Sequence, residues 1–254
     1  MLVAVTRGVS PSIERCELTH LSREPIDVGA AKEQHRRYEE CLSGLGCSVR
    51  GLPSEPELSD SVFVEDVAVV VEELALITRP GAPSRRAETP AVEEVLGEYR
   101  QLAHIREPGT IDGGDVLVVD RDIYVGLSGR TNEEGLRQAK EVFEPSGYTV
   151  TGVPVSGCLH LKSAVGLVAP NTLLVNRRWV DAAALGDREF IDVAPSEPAA
   201  AGALLIGDTV VYPARFGLTR DRLSEAGIST EVVELSELAK AEAGVTCCSL
   251  VFDA

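Results

Sequence analysis

The chain has 254 residues, 44% of them hydrophobic, and a formal net charge of −16. Its length suits one large α/β domain, and no Pro-, Gly- or Ser-rich spacer divides it, so residues 1–254 are expected to fold as a single domain. The acidic balance disfavours nucleic acid and anionic membranes as partners, and the longest apolar runs, such as 67–71 and 201–206, are far too short for a membrane span.

The opening MLVAVTRGVS lacks the basic start and long apolar centre of a secretory signal. It predicts a strand over 2–6 and a cytoplasmic protein. A loop-like stretch, SIERCELTHLSREP, follows, and then Ala31, His35, Tyr38 and Leu42 are spaced for one face of a helix. DVAVVVEELALITRPG from Asp66 reads as two strands joined by a polar turn. Thr89 and Pro90 suit an N-cap and first helical position, ahead of a face made of Val92, Val95, Leu96 and Tyr99. A second hairpin begins at Asp115 (DVLVVDRDIYVGLSG), and Thr131 with Glu134 predicts a capping box. A third hairpin starts at Lys162 (KSAVGLVAPNTLLVN), a weaker copy at Ala201, and a last strand after Thr246.

Strand, turn, strand, Gly-containing loop, helix and strand thus recur along the chain. The first and last strands supply the fifth copy, with the chain ends meeting. No copy can bury a face alone, so five copies should pack around a common axis. Residues at the start of each first strand then become neighbours: Glu65, Asp66, Asp112, Asp115, His160, Cys247 and Cys248.

A thiol, an imidazole and several carboxylates in one place suit nucleophilic catalysis, with histidine supporting the thiolate and shuttling protons. Taken singly, each residue has a structural alternative: the vicinal cysteines as small core residues, His160 as a satisfied core histidine. Asp66 is harder to explain away, because it interrupts an apolar run, where a charge must be paired or exposed. Gly113 and Gly114 permit a bulge or close backbone approach beside Asp112. For Asp115 a local Asx turn is the favoured reading. The six cysteines contain no C-x-x-C pair, so free thiols are expected rather than a structural zinc site.

DSVFVEDVAVV, ITRPGAPSRR, DGGDVL, SGRTN, LHLKS and TCCS, in this order from Asp60 to Ser249, resemble the dimethylarginine dimethylaminohydrolases of the pentein superfamily. The resemblance covers nearly the whole chain and implies a five-bladed α/β propeller. It implies Cys247 as nucleophile, His160 as proton donor and acceptor, and Asp112 as the carboxylate orienting the histidine. Glu65 and Asp66 fall on positions that bind the guanidinium; Asp60 and the backbone of Leu18 on positions for the α-amino end; Arg85 and Arg130 on positions for the α-carboxylate. Ala241 falls on a substrate-lining position. Arg79 and Arg86 are read as structural.

The reaction that the resemblance implies hydrolyses Nω-methylarginine or Nω,Nω-dimethylarginine to citrulline and an alkylamine through a cysteine S-alkylthiouronium, and requires no metal or organic cofactor. The expected partner is therefore a small molecule, and a homodimer is compatible with the sequence without being required by it. Two rivals remain. Arginine deiminases share this chemistry, but the resemblance places a second aspartate where this chain has Lys162. A catalytically silent propeller that binds an arginine-like ligand is not excluded by fold alone.

Overall fold

A computed structural model describes residues 1–254. The chain alternates strand pairs with crossovers: β1 (Leu2–Arg7), α1 (Val28–Gly44) and β2 (Ser48–Leu52) come first. Next are β3 (Ala68–Val70), β4 (Leu74–Ile77), α2 (Thr89–Leu96) and β5 (Gln101–His104), then β6 (Val116–Val119), β7 (Asp122–Leu127), α3 (Glu133–Phe143) and β8 (Thr149–Pro154). The last two runs are α4 (Leu161–Ala164), β9 (Val165–Ala169), β10 (Thr172–Val175) and β11 (Glu189–Asp192), followed by β12 (Leu204–Ile206), β13 (Thr209–Pro213), α5 (Gly217–Glu225) and β14 (Ser229–Val233). The chain closes on α6 (Ser236–Ala239) and β15 (Leu250–Asp253).

These strands form five sheets of three, each with one antiparallel pair and a third strand parallel to the middle one. Parallel neighbours require a crossover, which α1, α2, α3 and α5 supply in four of the five sheets. The sheet β15-β1-β2 joins the two ends of the chain, pairing Leu2 with Asp253 and Val5 with Leu250. Five-fold repetition with closure by the termini, as the sequence pattern predicts, is the architecture observed.

Local chemistry departs from expectation in four places. The fourth crossover is only a 3-10 turn, Ala182–Leu185, rather than a full helix. Thr89 is not an N-cap, because a 3-10 helix over Pro83–Glu88 runs straight into α2, which leaves no free first turn to cap. Tyr99 lies beyond α2, packed edge-on against Phe252. Thr131 forms no capping box: Asn132 caps α3 by accepting from the Gly135 amide at 2.8 Å, and Thr131 turns inward instead.

The helix face of Ala31, His35, Tyr38 and Leu42 is buried as predicted. It has a consequence at a distance, since the fully buried Tyr38 hydroxyl donates to the Val245 carbonyl and meets the Ser249 hydroxyl, both at 2.7 Å. The amphipathic period of α1 therefore anchors both ends of the segment that carries Cys247. All six cysteines are free thiols.

Candidate active site

The residues expected at strand starts sit instead on helical turns just ahead of the strands. Glu65 and Asp66 lie in a 3-10 turn, Val64–Val67; Gly113–Asp115 form another; and His160 immediately precedes α4. Short turns leave backbone amides without helical partners, and carboxylates from neighbouring repeats take up amides in two of these turns and in the loop after β4. Asp66 accepts from the Gly114 amide at 3.0 Å, Asp115 from the Leu161 amide at 2.9 Å, and Asp112 from the Gly81 amide at 2.8 Å. The carboxylates thus stitch successive sheets together while facing one another.

Asp115 is corrected by this arrangement. It makes no Asx turn; fully buried, it also accepts from Ser128 at 2.6 Å and from Thr131 at 2.7 Å. Burial pushes its carboxyl up to about 6 against the opposing pull of His160 and these donors.

Cys247 and Cys248 stand in a turn rather than on β15, which starts only at Leu250. Strand alternation therefore does not distinguish them, but burial does. Cys248 is wholly buried among the side chains around α1, whereas Cys247 is half-buried and lines two cavities. The Gly244 amide points at its sulfur from 3.3 Å, and its carbonyl accepts from the Glu65 amide at 3.2 Å. Burial, and after it the negative charges of Glu65 and Asp66, raise the Cys247 thiol above its ordinary value, so the unliganded site holds a neutral sulfhydryl.

His160 behaves oppositely. Burial disfavours its charge, yet Asp66, Asp115 and Asp112 together outweigh that and raise the imidazole to about 9. Its Nε2 lies 3.1 Å from Asp112 Oδ2, while Nδ1 is 3.8 Å from Asp66 Oδ1, beyond hydrogen-bond range. One ring nitrogen is therefore oriented by Asp112, and the other remains available for proton exchange. For Asp66, burial favours the neutral acid, but His160 and Arg85 prevail and hold it at about 2. Asp66, Asp112 and His160 present ligand atoms within 4.8 Å of one another. Within this cluster Asp66 is paired with Arg85 and Asp112 with His160.

The remaining predicted residues gather close by. Asp60, Asp66, Arg85, Arg130, Ala241, His160 and Cys247 line a cavity of about 30 Å³. Arg85 is buried and bridges Asp66, at 2.5 Å, to Glu88, at 2.8 Å, and donates to the carbonyls of Asp60 and Phe63. Four of its five N–H groups are thus engaged within the protein. Arg130 is less committed, with Nη1 3.7 Å from Asp112 and Nη2 donating to Thr19 at 3.2 Å. Asp60 accepts from the Glu17 amide at 3.1 Å, which places Leu18 beside the cavity on a loop between two tethers. Arg79 and Arg86 donate to the carbonyls of Gly109 and Pro80 and are structural.

Several participants escaped the sequence reading. Glu242, in an unremarkable ELAKAEAG, accepts from three successive amides of the loop, Thr19 at 3.1 Å, His20 at 2.5 Å and Leu21 at 2.6 Å. Glu88 completes the Arg85 fork, and Lys162 pairs with Glu65 at 2.5 Å, while Thr246 donates to the other Glu65 oxygen at 2.9 Å. Only a buried glutamate inside an otherwise apolar motif hinted that Glu65 needed such a partner.

A family profile described as "N,N dimethylarginine dimethylhydrolase, eukaryotic" matches residues 18–191. The chain is 42% identical, over 97% of its own length and 95% of the relative's, to an N(G),N(G)-dimethylarginine dimethylaminohydrolase of Streptomyces coelicolor. Among solved structures, the Pseudomonas aeruginosa enzyme, as a cysteine-to-serine variant complexed with citrulline, superposes with TM-score 0.91 at 32% identity, covering 98% of each chain. A histidine-to-glycine dimethylarginine dimethylaminohydrolase in adduct with S-methyl-L-thiocitrulline superposes with TM-score 0.93, also at 32% identity, over 99% of this chain and all of that one.

Proposed function

The chain belongs to the dimethylarginine dimethylaminohydrolase family, and on that basis we propose that it hydrolyses Nω-methylated arginines at Cys247, with residues 1–254 acting as one catalytic domain. One observation carries the assignment to these residues: a half-buried thiol lines the same cavity as an imidazole that is held by Asp112 at 3.1 Å and faced by Asp66 at 3.8 Å. The family's fold and these residues together supply everything the reaction needs.

The substrate guanidinium lies against Asp66, whose second partner is Arg85, and brings a positive charge to the same carboxylates that hold the Cys247 proton in place. That charge offsets the repulsion and lowers the cost of forming the thiolate, whose proton passes to solvent because His160 already carries one. Sulfur then attacks the guanidinium carbon, and the bond to the methylated nitrogen breaks as His160 delivers a proton to the departing amine. Water adds to the S-alkylthiouronium carbon and gives one proton to the now neutral His160; the C–S bond then breaks, sulfur leaves as thiolate, and the second water proton passes to solvent as citrulline is released. Asp112 holds the ring through both stages. Arg130 and Arg85 meet the α-carboxylate, Asp60 and the Leu18 backbone meet the ammonium, and Ala241 packs beside them. Free thiols throughout, including the nucleophile, fit a reducing cytoplasmic setting.

Lys162 weighs against the deiminase reading. Its ammonium neutralises Glu65, so no second free carboxylate faces an unsubstituted guanidinium. Arginine would then bury N–H donors without acceptors, at about 1–3 kcal/mol each. Mass spectrometry of products from arginine, Nω-methylarginine and asymmetric dimethylarginine tests this. Citrulline with methylamine or dimethylamine, and almost none from arginine, is expected; equally efficient ammonia release from arginine would overturn it.

A further inference from the structure

Cys247 and His160 open onto two cavities of very different size. The smaller, about 30 Å³, ends on Asp60, Arg85 and Arg130, the groups suited to an amino-acid terminus. The larger, about 390 Å³, shares none of those residues; it runs from Cys247 and His160 past Lys162 to Trp179 and Phe216. A single water needs only about 10–15 Å³ measured this way, so a methyl group would occupy a small fraction of the wider space. Its polar lining is already satisfied near the sulfur, because Lys162 is paired with Glu65. Farther out, Trp179 and Phe216 offer ring surfaces, Leu21 contributes an exposed apolar side chain, and the guanidinium of Arg215 lies 4.5 Å over the Phe216 ring.

We infer that this wider cavity houses the substituent on the departing nitrogen, and that the enzyme also hydrolyses Nω-alkyl and Nω-aralkyl arginines with groups much larger than methyl. The inference rests on the methylarginine reaction above and uses the same bonds. Sulfur bonds to the guanidinium carbon, the bond from that carbon to the substituted nitrogen breaks, and the amine leaves with a proton from His160. Water then displaces sulfur, returns a proton to His160, and yields citrulline. Only the amine released differs. An aromatic substituent on a short methylene stem gains most, because two rings and a cation line its path.

The test compares kcat/KM for Nω-methyl-, Nω-propyl- and Nω-benzylarginine, following citrulline and each amine, in the wild type and two variants. Propyl and benzyl substrates should fall within about tenfold of methyl, the scale on which apolar pockets discriminate. A Cβ at Gly202 meets nothing nearer than the Lys162 carbonyl at 3.8 Å, so Gly202→Phe can fill the cavity without a backbone clash. It should reduce benzylarginine turnover at least tenfold and leave methylarginine within twofold. Phe216→Ala should lower only the benzyl substrate, by about three- to tenfold. Turnover of methylarginine without propyl or benzyl would overturn the inference alone. Equal loss of methylarginine turnover in Gly202→Phe would also overturn it, by assigning the wide cavity to the amino-acid end. Failure of methylarginine in the wild type would instead refute the underlying reaction.

Discussion

Gly114→Ala isolates the geometry of the proton donor from its chemistry. A methyl group at 114 would stand 2.5 Å from His160 Nδ1 and 2.7 Å from Asp66 Oδ1, about 0.9 and 0.7 Å short of ordinary contact at 3.4 Å. Neither neighbour can yield freely: Asp66 is tied to Arg85, and the ring is held through Nε2 to Asp112 at 3.1 Å. A displacement of that size takes the imidazole out of hydrogen-bond range of Asp112 and misaligns it toward the leaving nitrogen. Misplacement by about 1 Å costs on the order of 100-fold in rate, and loss of a charged, buried hydrogen bond costs about 1.5–3 kcal/mol. Initial rates of citrulline release, with thermal unfolding in parallel, should show kcat reduced about 100-fold in a protein that still folds. The neighbouring Gly113→Ala offers a contrast, since its methyl would stand 2.0 Å from the Glu65 carbonyl oxygen and must break backbone structure first. A Gly114→Ala enzyme within threefold of wild type, with an unchanged pH profile, would refute this account of how His160 is held.

Three further outcomes follow from the same site. Cys247→Ser should abolish citrulline formation; Cys248→Ser should retain most of it while losing about 1–3 kcal/mol of stability from a buried hydroxyl, read as a lower Tm. Because the negative charge of Asp112 helps raise His160 to about 9, Asp112→Asn should lower the imidazole's pKa and move the alkaline limb of kcat to lower pH, a shift that a pH–rate profile reads directly. Glu242→Ala frees the three loop amides beside Leu18, and should raise KM for methylarginine severalfold with a smaller effect on kcat, measured under steady-state conditions.

The repeat was legible because it is local. Alternation of apolar residues names strand pairs, the 3.6-residue period of Ala31, His35, Tyr38 and Leu42 names a helix face, and similarity between copies implies a common axis. The convergence of Asp66, Asp112, His160 and Cys247 followed from that symmetry together with the family motifs. What failed was also local in kind: Thr131 looked like a cap and Asp115 like an Asx turn, since their real partners lie in other repeats or beyond a loop.

By itself, then, the sequence determined the five-fold arrangement and the family, and it named Cys247 and His160 as the candidates for nucleophile and proton carrier, since hydrophobic period and motif order survive without knowledge of distance. Only the tertiary structure decided the electrical state of the site. Whether His160 holds its proton, whether Glu65 is free or bound to Lys162, and how far Arg85 is spent on Asp66 and Glu88 depend on charges brought within a few ångströms by different sheets. Such energies vary with separation and burial, and neither quantity is written in the order of residues along the chain.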